Sequence, residues 1–229
     1  VIPISLVIAL LVGAAIGAIN AFFVVKLQMN AFIVTLASFI WARGLVVALS
    51  GGRSAQSLPD SLRFIAIETV FYVPLIAWLS IGCFISFAFI LNRTPFGRHI
   101  RMIGGNKVAT FRAGIKINRL TTMTFILAGA IAGLAGWLLA LRTSGATANL
   151  GTGMLFQAFA AVVIGGVSLQ GGVGSLSGVY AGVLLLSSIN TAINLMGMPA
   201  HFTQIIHGGL VLVAMLLDTV KTQIRAKMI

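Results

Sequence analysis

Uninterrupted apolar runs about as long as a bilayer is thick constrain this chain more than anything else in it. The stretch 4–25 (ISLVIALLVGAAIGAINAFFVV) offers water no polar face at any helical or strand period. About 20 such residues cross the hydrocarbon core as a helix. An outer-membrane strand alternates apolar and polar side chains. Here the runs are continuous, and in lipid only a helix or a closed barrel satisfies its own backbone, so helices are required. Composition agrees, with 59% hydrophobic and 8% charged residues in 229. Soluble domains carry about 25% charged residues. An ordinary soluble enzyme, a disordered chain and a collagen-like chain are all excluded.

The expectation is an all-α fold, a polytopic transmembrane bundle of about seven spans, at 4–25, 31–50, 64–91, 120–141, 154–170, 175–195 and 203–220. The fifth is short and ends in glycine, so it reads as either a full crossing or a re-entrant one. Pro74 inside the third predicts a kink. Residues 1–229 read as one transmembrane domain. Val1 already sits in an apolar run with no basic region before it, which reads as an N-terminally truncated chain rather than a signal peptide.

The net charge of +12 comes from 15 Lys and Arg against 3 Asp and Glu. Missing acids cause the excess, so nucleic acid is not the expected partner. Basic residues instead mark cytoplasmic segments, where anionic membrane lipid is a favourable neighbour. Arg93, Arg98, Arg101, Lys107, Arg112, Lys116 and Arg119 occupy 93–119 without an acid among them. That segment is expected inside, and so is the C-terminal tail with Lys221, Arg225 and Lys227. An even number of crossings must separate the two, and four spans satisfy this.

Most of the remaining polar content is structural. Gly13 with Gly17, Gly129 with Gly133, and Gly174, Gly178 and Gly182 have the small-xxx-small spacing that brings helix backbones together. Cys83 is a lone thiol in an apolar run, and His99, His201 and His207 share no metal-ligand spacing, so no metal or cofactor is expected. No GxxxxGK[ST] phosphate loop is present, so the chain does not hydrolyse ATP by its own residues and is not expected to be an enzyme.

Three features rise above that background. Arg43 lies within its span, where it either snorkels outward or pairs with Glu68. Ser187, Asn190, Thr191 and Asn194 share one face of the sixth span. That stripe either bonds between helices or walls a wet pathway for a hydroxyl-rich solute. Asn20, Thr35, Ser38 and Gln157 are candidates for the same route. The third feature is the basic segment itself. Asn106 is a good N-cap and Gly114 a good C-terminal stop for a short helix, with Val108, Phe111 and Ile115 on one face. Such a helix lies on a membrane or docks in a groove of another protein.

The segments Thr94-Pro95-Phe96-Gly97-Arg98, Ile103-Gly104-Gly105-Asn106, Ala109 and Ala113-Gly114-Ile115 resemble the cytoplasmic loop of ABC importer permeases for monosaccharides, of the ribose type. Phe32-Ile33-Val34-Thr35-Leu36, Arg43-Gly44 and Ser50-Gly51-Gly52 resemble that family's early helices. Gly165-Gly166, Gly171-Gly172, Gly174-Ser175 and Gly178 resemble its late glycine-rich segment. Family members usually carry prolines where Met29-Asn30 stand here.

The resemblance implies the pore subunit of an importer in the bacterial inner membrane. Its partners would be a second permease subunit, as homo- or heterodimer, a periplasmic sugar-binding protein and a cytosolic ATP-binding subunit. The segment around Gly104, Gly105, Asn106, Ala109, Phe111, Arg112 and Gly114 would be the coupling helix, and Asn20, Thr35, Ser38, Asn190 and Asn194 would belong to the substrate pathway. The same machinery with a nucleoside, a furanosyl autoinducer or a branched-chain amino acid is the alternative. A secondary transporter or channel, or a purely structural membrane subunit, stands further off.

Overall fold

The computed structural model describes residues 2–55, 68–168, 171–197 and six helical positions between 205 and 216. The seventh expected span and the C-terminal tail therefore lie largely outside the described residues, as do His201 and His207. The chain runs α1 (Ile2–Ala21), a π-helical turn (Phe22–Lys26), α2 (Ala31–Ser50), β1 (Thr69–Val70), β2 (Val73–Pro74), α3 (Leu75–Arg93), α4 (Pro95–Gly105), α5 (Lys107–Arg112), α6 (Ile117–Arg142), α7 (Met154–Ile164) and α8 (Leu176–Leu195). Five helices among the described residues are long and apolar enough to cross a membrane, α1 with its π turn, α2, α3, α6 and α8. The described residues are helical as expected, apart from a two-residue antiparallel ladder and an isolated bridge between Ala55 and Ala146.

Two compact units divide the chain, Val1–Phe96 with Gly114–Gly151, and Gly97–Ala113 with Thr152–Ile229. In the first, α1 and α6 pack along their length through glycine. A Cβ added at Gly13 would overlap the carbonyl oxygen of Gly129, and one at Gly17 that of Phe125. On the opposing helix, Gly129 meets Gly13 and Gly133 meets Ala9 in the same way. In lipid, apolar side chains gain nothing by leaving one hydrocarbon for another, so helices associate by close backbone packing and hydrogen bonds. Trp137 adds such a bond, its Nε1 donating to Ser5 Oγ at 3.1 Å.

Helix ends follow local chemistry. The Asn30 side chain accepts from the Phe32 and Ile33 amides at 2.9 and 3.4 Å, capping α2, so the residue standing where proline is usual starts the helix by another route. Gly51 closes α2 with φ +57, which only glycine adopts without strain. The third expected span starts later than the sequence implied. Pro74 stands at the N-cap of α3 with φ −56, so it kinks nothing. At a helix start its missing N–H breaks no helical bond. The residues before it turn back as a tight hairpin, with Phe71 and Tyr72 at φ +54 and +61 and the Leu75 amide donating to Glu68 O at 3.0 Å.

In the second unit, α7 and α8 form a hairpin. Gly178 meets the Gly165 carbonyl, Gly182 meets that of Ala161, and Ala160, Ala161 and Leu186 form a small core with Ile164 against it. The 11 residues of α7 rise about 16 Å, half the hydrocarbon thickness. The helix within the expected span 154–170 is therefore short, because Gly165 and Gly166, the latter at φ +80, end it after Ile164.

Large apolar side chains remain exposed on the long helices, among them Phe32, Ile40, Leu49, Ile85 and Phe89. Contiguous apolar surface on that scale is what hydrocarbon covers. The α1–α6 contact yields a direct expectation. Gly129→Val, which wedges two backbones apart, lowers stability in detergent by about 1–3 kcal/mol, whereas Gly136→Ala, with open space around it, leaves the melting temperature unchanged. Thermal unfolding of the two variants beside wild type decides it.

Candidate functional site

The basic segment folds into two helices that present different faces. On α4, Phe96, Ile100 and Ile103 are half-buried while Arg98, Arg101 and Met102 point outward. Asn106 breaks the run and caps α5, its Oδ1 accepting from the Ala109 amide at 2.9 Å. Thr110 anchors the inner side of α5. It is 2% exposed, and its hydroxyl donates to Asn106 O at 2.8 Å. Gly114, at φ +79, follows the C-cap.

With Thr110 turned inward, Lys107, Val108, Ala109, Phe111 and Arg112 face outward. Phe111 is 71% exposed and Val108 62%. The apolar face expected from Val108, Phe111 and Ile115 is divided, since Ile115 is half-buried. What remains is a six-residue helix displaying a phenylalanine, a valine and two cations.

Just before it, Gly104 and Gly105 differ sharply. Gly104 lies against the backbone of Gly171 and Gly172 in the turn between α7 and α8, whereas Gly105 has no neighbour within 4 Å of a Cβ position. The turn is tied internally, with the Ser168 amide donating to Val173 O at 2.9 Å and that of Gly171 to Ser168 O at 3.1 Å. The hairpin turn and the basic segment thus share one end of this unit. Sequence reasoning named Gly104 for its motif and missed its contact. The glycine pairs at both ends were the available signal.

The polar candidates divide between the two units. In the first, Ser38 donates to Asn20 Oδ1 across α1 and α2. Both are buried, at 6% and 9% exposure, and their bond joins the two helices. Thr35 Oγ1 donates to its own helix, to Ala31 O at 2.9 Å, and the residue is exposed. Arg43 does not pair with Glu68 as one reading of the sequence had it. Its Nη2 donates to Asn149 Oδ1 at 2.5 Å, a partner 106 residues on that no local pattern announces.

In the second unit, Asn190 and Asn194 sit four residues apart on α8. Asn194 is exposed, and Asn190 Oδ1 is buried with no hydrogen-bond partner among the described residues. A buried amide oxygen without a donor is costly, which marks Asn190 as a position awaiting one. Thr191 is satisfied by Ser187 O at 2.9 Å.

The family model described as branched-chain amino acid transport system / permease component matches residues 1–215. The L-arabinose transport system permease protein of Escherichia coli is 34% identical over 228 residues, covering 96% of this chain and 70% of that protein. The ribose import permease protein of Escherichia coli is 35% identical over 217 residues, covering 93% and 68%. An autoinducer 2 import system permease protein of Klebsiella pneumoniae is 33% identical over 207 residues, covering 90% and 60%. No solved structure matches the chain. With its apolar helices, this makes it a multi-pass inner-membrane protein. The chain belongs to the family of ABC importer permease components that includes these sugar permeases.

Proposed function

We propose that this chain is the pore-forming permease subunit of an ATP-driven importer for a monosaccharide, a pentose or hexose similar to ribose. A periplasmic binding protein delivers the sugar, and a cytosolic ATP-binding subunit docks on α5. The observation that carries the reading is the outward face of α5. Val108 and Phe111 supply apolar area, Lys107 and Arg112 supply charge, and Thr110 holds the helix in place from behind. A short helix with a buried anchor and an exposed aromatic suits a groove in a protein partner, where buried aromatic and arginine side chains carry much of the binding energy.

The polar chemistry supports this choice of cargo. An uncharged, hydroxyl-rich solute is held by neutral donors and acceptors. Asn190 and Asn194 on α8 provide them, and the unsatisfied Asn190 oxygen accepts a sugar hydroxyl without first breaking a protein hydrogen bond. The relatives' names point the same way, to arabinose, ribose and autoinducer 2. These names support a monosaccharide as the cargo, with a nucleoside, a furanosyl autoinducer or a branched-chain amino acid as the alternative. No acid or base lies near Asn190 on α8 to hold the two charges of an amino acid.

Orientation completes the scheme. The basic segment and the C-terminus are cytoplasmic by their Lys and Arg content. The half-length α7 then crosses only with irregular backbone at membrane depth, which is tolerated where protein or a wet cavity satisfies it.

Two experiments test these statements. In detergent, the full permease retains the ATP-binding subunit of its system, and a variant with residues 105–113 scrambled loses it. If wild type retains none, the docking role is discarded. In proteoliposomes holding the complete system, Asn190→Leu with Asn194→Leu lowers uptake of labelled L-arabinose or D-ribose at least about tenfold, as expected for lost hydrogen bonds to a bound hydroxyl. Uptake at the wild-type rate would show that the stripe is structural.

A further inference from the structure

The pair Gly104 and Gly105 sits between the outward-facing α5 and the rest of its unit, and only one of the two is packed. A Cβ on Gly104 would overlap the amide nitrogen of Gly172 and lie 2.7 Å from its Cα. One on Gly172 would fall 2.8 Å from both the Gly104 carbonyl carbon and the Gly105 nitrogen, and one on Gly171 would lie 3.3 Å from Gly104 Cα. This is main chain on main chain, with no side chain between to absorb a displacement. A side chain at Gly104 or Gly172 would force one segment to shift, and packed main chain resists compression, so a displacement of one segment is felt by the other.

On the far side of the contact, the turn leads directly into α8. Ser175 caps that helix, accepting from the Gly178 amide at 3.3 Å, and the Gly171 amide is tied to Ser168 O. Glycine joins α8 to α7 at Gly165, Gly178 and Gly182. A push on Gly172 therefore moves the hairpin as a body, and the hairpin carries Asn190 and Asn194.

We propose that Gly104 and Gly172 form the joint through which α5, displaced by the nucleotide-driven subunit, repositions the α7–α8 hairpin and so the polar face of α8. The inference rests on the docking role proposed above and adds the residues that pass the motion inward. Gly104 and Gly172 are positioning residues and touch no solute.

The structure supplies its own controls. Gly136 has open space around it, and Gly166 shares the positive φ of Gly172, at +80 against +78, with nothing within 4 Å. Gly104→Ala and Gly172→Ala block the joint. Gly136→Ala adds the same methyl away from the docking segment, and Gly166→Ala adds the same backbone strain away from the joint. Each is placed in a Cys83→Ser background carrying Asn194→Cys, in the full permease assembled with its ATP-binding subunit. The readout is the rate at which a maleimide labels position 194 with and without ATP and vanadate, which needs no knowledge of the cargo.

In the parent and in both controls, trapping the nucleotide changes the labelling rate at least about fivefold, the lower end of ordinary coupling between sites. In Gly104→Ala and Gly172→Ala the ATP-binding subunit is still retained and the response falls below about twofold. A full response in Gly104→Ala overturns the joint. Equal loss in the Gly136→Ala and Gly166→Ala controls overturns it too, since any added methyl or strain would then suffice. If the parent retains no ATP-binding subunit, the docking role fails instead, and with it the joint's source of motion. Should Gly104→Ala fail to assemble, Gly171→Asn decides. Its Cβ asks only a few tenths of an ångström at 3.3 Å from Gly104 Cα. Asn also tolerates positive φ better than other side chains. A partial loss of response supports the joint and an undiminished response overturns it.

Discussion

Wherever hydrocarbon replaces water, each main-chain N–H and C=O must find its partner within the protein, and every other feature of this chain follows from that. The requirement makes the apolar runs helices and removes any hydrophobic gain from pairing them. Cohesion then has to come from distance, from main chains close enough for many weak contacts. Glycine provides it at Gly13 and Gly129, at Gly17 against Phe125, and at Gly165 and Gly178. Glycine or a cap resolves the irregular backbone at Asn30 before α2, at Gly51 after it and in the glycine-rich turn after α7.

The same closeness that stabilises the helix pairs allows a small displacement to travel. Side chains between helices can change rotamer and dissipate a shift, but touching backbones cannot. The α7–α8 hairpin, held at Gly165, Gly178 and Gly182 and met at Gly172, lies against the segment that leads into α5 and carries the polar face of α8. Its partner helix α5 is short and would be marginal alone. Its buried Thr110 and the Asn106 cap make it a rigid probe.

Sequence reasoning recovered what depends on local pattern. The span positions of α1, α2, α6 and α8, the cap at Asn106, the stop at Gly114 and the glycine faces all follow from composition and spacing within one helix. Three things were not legible. Pro74 was read as a kink because apolar content alone does not separate the edge of a helix from its interior, whereas the turn at Phe71 and Tyr72 does. The length of α7 was ambiguous because glycine both packs helices and ends them. The partners of Arg43, Ser38 and Gly104 depend on which distant segments fold together, and no periodicity within a helix encodes that. Asn20 and Ser38 illustrate the limit. Their polarity was visible, but their burial against each other was not.

That pair has one more consequence. Among the described residues, the buried polar side chains are Asn20, Ser38 and Thr110, an amide and two hydroxyls, none of which gains or loses a proton in ordinary biological surroundings. Helix contacts built from glycine and neutral amides have no charge to alter when the medium outside the cell turns acid or alkaline. A membrane subunit facing a compartment whose acidity its host does not control can thus keep its helices together through such swings, leaving any sensitivity to acidity to surface groups and soluble partners.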